Sequence, residues 1–238
     1  MSEKQTRLAI GVLGALGVAA VIVLHWMVFF WVPTEATMGI VQRIFYIHVP
    51  AWWIAFLGFG IVALCSAVYL WLGDERLDRA AVAGAEAGMI FTTIGLLTGP
   101  LWGRVAWGTW WEWEPRLTLA LILWFIYLGY FIVRRTAVNP EQGKRFAAVV
   151  GVIGVLDIPL IHVSVTWLRS LHPEAVILNP DGLAMNLDAS MGATISVGLL
   201  AFSLVFASLF LARYAVAGYE HELNLRDAAP GGIQRAEA

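Results

Sequence analysis

Charge is scarce in this chain. Asp, Glu, Lys and Arg make up 13% of its 238 residues, and hydrophobic residues make up 60%. A soluble domain carries about 25% charged and about 45–50% apolar residues, so the gap is too wide for a soluble core. Cysteine is nearly missing. Cys65 stands alone in an apolar run, which excludes an internal disulfide. CxxC and CxxCH are absent, so the chain is not itself a covalent carrier of c-type haem. A glycine-rich phosphate loop is also lacking. Lys144 follows Gly143 without the upstream glycine, so the chain is not an ATPase subunit on its own sequence. Positive charge shows no surplus, with 15 basic against 17 acidic residues, which argues against a nucleic-acid partner.

What the chain has in plenty is long apolar runs. Six are long enough to cross a bilayer, at roughly 20 residues per crossing: 8–32, 48–72, 81–102, 117–133, 146–168 and 191–213. The expected fold class is all-α, a polytopic integral membrane protein of six transmembrane helices in membrane lipid. The connectors are short, so 1–225 forms one membrane domain, and the polar stretch 226–238 reads as a cytoplasmic tail. The first run is too long for a cleavable signal, and no small-residue cleavage site follows it. Lysine and arginine set the orientation. Arg43, Arg104, Arg116 and Arg169 fall in one set of connectors, about 33–47, 103–116 and 169–190. The remaining basic residues fall in the other set. Both termini are therefore expected in the cytoplasm, and those three connectors outside.

Aromatic residues crowd one outer connector. Residues 107–118 read WGTWWEWEPRLT. A lone tryptophan near a span end is an interfacial anchor. Trp26, Trp31, Trp52, Trp53, Trp71, Trp102, Trp124 and Trp167 read as anchors or as helix packing. The run Trp107, Trp110, Trp111 and Trp113 is too dense for anchoring alone, and acids alternate with its rings. A helical segment would put Trp107, Trp110, Trp111 and Glu114 on one face. An extended one would pair Trp111 with Trp113 and turn both glutamates to the other side. Either arrangement suits a large, flat, apolar ligand. Pro115 pushes Glu114 out of the α region and predicts a break before the fourth span.

The histidines divide into two groups. His25 and His162 lie inside spans and read as hydrogen-bonded helix residues, and His221 lies in the tail with no evident partner. His48, in YIHVP, and His172, in LRSLHPE, each fall at the outer mouth of a span, on the surface that carries the aromatic connector. Pro50 can open a helix at its first turn, and Pro173 biases His172 to an extended conformation. Two neutral imidazoles can fill both axial positions of a haem iron. Haem also brings two carboxylates, and the outward arginines Arg43, Arg104, Arg116 and Arg169 suit them. Arg116 can equally cap the fourth span or pair with Glu112 or Glu114. Glu86 and Asp157 lie inside spans. They read as carboxyls that lock the bundle, with a kink expected at Pro159. Gly84 with Gly88, and Gly95 with Gly99, allow close helix contact.

These motifs together resemble a known group. WGTWWEWEPRLT resembles the pattern WGxWWxWDxRLT of the WWD superfamily of haem-handling membrane proteins. QRIFYIHVP, LDIPLIHVSVTWLRSLHPE and the six-span plan are similar to the haem exporter protein C family, also called cytochrome c maturation protein C. The resemblance runs from about Met38 to Glu174. It implies haem handling on the periplasmic face of a bacterial inner membrane in c-type cytochrome biogenesis. It implies haem b, held non-covalently and transiently, with His48 and His172 as axial ligands. It also implies that Trp107, Gly108, Trp110, Trp111, Trp113, Glu114 and Arg116 contribute the haem-binding connector. The implied partners are a periplasmic haem chaperone (cytochrome c maturation protein E), ABC transporter subunits A and B, and the small membrane protein D. Glu114 departs from the pattern's aspartate by one methylene. The expected activity is binding and transfer, not enzymatic turnover. One alternative is a permease subunit of an ABC-type haem exporter, with a polar path along Glu86, Asp157 and His162. Another is a structural subunit that anchors the transporter.

Overall fold

The structure, a computed structural model, describes residues 2–168, 172 and 188–228. Helices account for nearly all of it. α1 (Glu3–Trp26) continues through a π-helical turn, Met27–Trp31. A 3-10 turn, Ile40–Ile44, leads into α2 (Phe45–Leu72). α3 (Glu75–Ala106), α4 (Pro115–Thr136), α5 (Pro140–Gly154), α6 (Asp157–Trp167) and α7 (Ala189–Ala228) follow. Six helical units among the described residues are long and apolar enough to cross a membrane, α5 and α6 together making the fifth. Each unit outruns its apolar run, because polar residues extend the ends and cap them. Ser2 and Gln5 form a reciprocal capping box at α1. Asp74 and Asn139 cap α3 and α5.

The fifth span breaks where the sequence places Pro159. Proline cannot donate to the carbonyl four residues back and its ring crowds that carbonyl. That residue is Val155, and the chain turns at Val155–Leu156 before α6 begins. Pro50 behaves differently from expectation. It sits inside α2 and not at a first turn, because the 3-10 turn and Phe45 start the helix earlier. Gly198 of α7 packs closely at this point, against Pro50 and the Tyr46 carbonyl.

The α2–α3 hairpin is the spine. Gly73, at φ 68, turns the chain between the two helices. Gly58 of α2 lies against Gly84 and Gly88 of α3, where a Cβ would meet backbone atoms at 3.0–3.1 Å. On one side of the spine α1 and α7 pack around Leu24, Phe45, Tyr46, Phe91, Phe202 and Phe206. On the other side α4, α5 and α6 pack around Phe59, Leu123, Tyr127, Tyr130 and Ile161. Phe59 and Tyr127 stack with centroids 3.6 Å apart.

One end of the bundle is rich in ion pairs. Arg134 grips the buried Asp78 with both nitrogens, the longer bond being 2.6 Å. Lys144 joins Glu75 and Glu141. Glu86 meets Arg213 Nε at 2.8 Å, because α7 continues past Arg213 to Ala228. Arg226, at the start of the polar stretch 226–238, is thus still helical. His221 lies on α7, with Nδ1 3.9 Å from Glu75. The opposite end gathers the start of α2, the end of α3 and the start of α4.

Candidate functional site

At that opposite end, His48 projects from the first turn of α2 toward α3. Its Nδ1 lies 2.8 Å from Thr98 Oγ1. The same hydroxyl lies 2.7 Å from the Ile94 carbonyl, which can only accept. A threonine hydroxyl has one proton. Given to Ile94, it leaves the oxygen to accept from the imidazole. The Nδ1 of His48 therefore carries the hydrogen, and Nε2 carries the lone pair. Trp52 and Trp102 stand edge-on to the ring, at 6.3 and 5.7 Å between centroids. Gly95 and Gly99 make room for this cluster. A Cβ at Gly95 would come within 2.6 Å of the Trp52 ring, and one at Gly99 within 3.4 Å of His48 Cε1.

The aromatic connector begins where α3 ends. Trp107 closes the helix by donating its N–H to the Gly103 carbonyl at 2.8 Å. Gly108 then takes φ 81, in the left-handed region, and the Arg104 guanidinium donates to its carbonyl. From 109 to 114 the chain is non-helical, so the helical placement of the tryptophans does not hold. Pro115 explains this: Glu114 is extended, at φ −74 and ψ 157, and α4 starts after it. Trp111 and Trp113 meet edge to face at 5.7 Å, as an extended segment requires. The glutamates separate, however. Glu112 is exposed and Glu114 is buried. Trp110 and Trp113 are 57% and 74% exposed, while Trp107 and Trp111 are half-buried. A small crevice runs between Gly99, Gly103, Trp107, Trp110, Trp111 and Glu114.

His172 enters this site from the connector between α6 and α7. Its Nδ1 lies 2.8 Å from Glu114 Oε1, and the Trp107 ring stands edge-on at 4.9 Å. A carboxylate only accepts, so Nδ1 again carries the hydrogen and Nε2 the lone pair. Burial lowers the pKa of His172 below its ordinary value, and the charge of Arg116 lowers it further. The hydrogen bond and charge of Glu114 act the other way without reversing the shift. The neutral imidazole that a metal takes is thus favoured. His172 and Arg116 both lie within Coulombic reach of His48. Two histidines with the same ring protonation and one guanidinium therefore lie within range of one another's charge at this end of the bundle.

The other candidates lie apart from this group or have structural partners. Arg43 places its guanidinium 5.8 Å from the Phe29 ring centroid. Arg169 and Pro173 lie outside the described residues. His25 and His162 each set Nδ1 on the carbonyl four residues back, Val21 and Ile158. Glu86 sits at the α3–α7 contact, paired with Arg213. Asp157 is buried at the start of α6, on the other side of the spine. The polar path Glu86–Asp157–His162 is thus not assembled among the described residues. These residues also hold no group of three or more His, Cys, Asp or Glu arranged to bind a metal. Sequence reasoning missed Trp52, Thr98 and Trp102 and set aside Gly95 and Gly99. Their spacing carried the signal, because Gly95, Thr98, Gly99 and Trp102 share one helical face.

A family model described as heme exporter protein C matches residues 2–228. The chain belongs to the haem exporter protein C family. It is 38% identical over 180 residues to heme exporter protein C of Bradyrhizobium diazoefficiens, covering 76% of this chain and 68% of that one. It is 35% identical over 205 residues to heme exporter protein C of Escherichia coli K12, covering 83% and 80%. A putative cytochrome c biosynthesis ccmC-like mitochondrial protein of Marchantia polymorpha is 34% identical over 182 residues, covering 76% and 72%. As a member of the haem exporter protein C family, this multi-pass membrane chain is a haem-handling protein of cytochrome c maturation, not a classical enzyme.

Proposed function

We propose that this end of the bundle holds haem b as cargo, transiently and without a covalent bond, and presents it to a periplasmic haem chaperone. His48 and His172 are its axial ligands through Nε2. The observation that carries the reading is the matched protonation of the two rings: each Nδ1 faces an acceptor, Thr98 Oγ1 or Glu114 Oε1, at 2.8 Å. His25 and His162 also set Nδ1 on an acceptor, but on a carbonyl of their own helix; His48 and His172 do so across elements, at the end that carries the tryptophan connector. The outer tryptophans, Trp110 and Trp113, offer ring faces to a porphyrin, and Trp107 and Trp111 back them. Gly108 turns this connector, and Glu114 orients His172. Arg116, within reach of both histidines, is the arginine best placed to meet a propionate. The exposure of Trp110 and Trp113 suits a cargo that must leave again, because a porphyrin edge held there is open to a partner.

The distribution of lysine and arginine supports a periplasmic site in a bacterial inner membrane, with cytoplasmic termini. ABC transporter subunits A and B and the small protein D are the partners in this reading. The test is an absorption spectrum of the purified full-length protein, alone and with its chaperone. A six-coordinate haem Soret band is expected. His48→Ala and His172→Ala should each lose it, or keep it weakly with added imidazole. Unchanged spectra in both variants would sink the axial assignment.

A further inference from the structure

We infer that Glu114 is a positioning residue that makes the two axial histidines unequal, so that His172 is the ligand whose grip on iron the protein tunes. This rests on the haem reading above. Three features carry it. First, Glu114 occupies the residue just before α4, with the extended backbone of a helix cap. A short acid, aspartate, at that position ordinarily bonds the amides of the first turn. Glu114 makes no side-chain cap bond; it turns instead to His172 at 2.8 Å. Second, the partners differ in charge. His48 donates to a neutral hydroxyl and His172 to a carboxylate. A hydrogen bond to an ionised acceptor is roughly twice as strong as a neutral one, and such a partner raises the basicity of a ligating imidazole. Third, the mountings differ. His48 is built into a 28-residue helix between Trp52 and Trp102. His172 stands in a connector, oriented by Glu114 and by the edge of Trp107.

The extra methylene of Glu114 has a place in this arrangement. The side-chain exposure of Glu114 is 7% and that of His172 is 22%, so the pair is largely withdrawn from water. The backbone at 114 is held by Pro115 and the start of α4. The distance from that fixed point to Nδ1 is therefore spanned by the side chain, and this chain spans it with glutamate. The stronger donation through His172 favours ferric over ferrous haem. Loss of the carboxylate charge moves that balance toward the ferrous form.

The experiment uses haem-loaded full-length protein in detergent, with Glu114→Gln, Glu114→Asp and His172→Ala. Glu114→Gln should keep a six-coordinate spectrum and shift the ferric-to-ferrous affinity ratio tenfold or more toward ferrous. That is a rise of about 59 mV for a one-electron couple. Glu114→Asp retracts the acceptor and should lower haem affinity by about 10- to 100-fold, with recovery on added imidazole. A glutamine variant with wild-type potential and an aspartate variant with wild-type affinity would overturn the inference. If His172→Ala also left the spectrum unchanged, the haem reading itself would have failed. Loss in His172→Ala with no effect at Glu114 would fell this inference alone. A merely structural Glu114 would change thermal stability but not the potential. The haem-free wild-type protein gives a second measurement independent of variant folding. Its 15N-labelled His172 should show the Nδ1–H tautomer, and the Nε2–H tautomer would overturn the inference.

Discussion

Replacing Thr98 by valine isolates the partner of His48. The two side chains have nearly the same shape, so the packing of α3 on α2 is kept. The lost atom is Oγ1, which accepts from His48 Nδ1 at 2.8 Å and donates to the Ile94 carbonyl at 2.7 Å. The bond to Ile94 is dispensable, because such i−4 back-bonding slightly weakens a helix. The bond from His48 is not. Without it the Nδ1 hydrogen faces apolar atoms, at a cost of about 1–3 kcal/mol for an unsatisfied buried donor. His48 is half-buried, which places the cost at the low end. The ring can escape by moving its proton to Nε2, but Nε2 is then no longer a ligand. On either route the binding-competent form loses about 1.4 kcal/mol, a tenfold loss of haem affinity. Thr98→Ser keeps the acceptor and should bind like wild type. The assay is titration of haem into purified protein, followed at the Soret band. A valine variant within twofold of wild type, beside a His48→Ala variant that does not bind, would refute the argument.

Gly95→Ala should weaken both the fold and the site, since its Cβ would stand 2.6 Å from the rigid Trp52 indole. Overpacking of this kind costs about 1–3 kcal/mol, read as a lower unfolding temperature together with weaker haem titration. The pH dependence follows from His172, whose pKa lies below the ordinary 6.5 because of burial and then of Arg116. The native state takes a proton less readily than the unfolded chain, so the contribution of His172 is complete above about pH 6.5 and declines as pH falls toward the native value. Unfolding of haem-free protein across about pH 5–8 should show that decline in wild type and a shallower one in His172→Gln, where the half-buried His48 remains. An identical slope in both would contradict it.

The spans and the residues of the site end were legible in the sequence because hydropathy and motif spacing are local signals. The helices extend beyond the apolar runs because their ends are polar and satisfied by caps and ion pairs, which a hydropathy window discounts. Pro159 foretold the break between α5 and α6, since its effect reaches only four residues. The organisation of the site was less legible. His48 meets Thr98 across 50 residues and Glu114 meets His172 across 58, so each pairing depends on how two elements are turned toward one another. A span's length does not set that rotation; small residues do, by deciding which faces can approach. Gly58 against Gly84 and Gly88 locks α2 to α3 on one line, and the same line continued reaches Gly95 and Gly99. Trp52 and His48 fit there because those glycines leave room. The glycines that a structural reading assigns to packing are therefore also what aims His48 at Thr98. Closeness of the helices and the aim of His48 are one constraint, and a side chain introduced at Gly95 should disturb both.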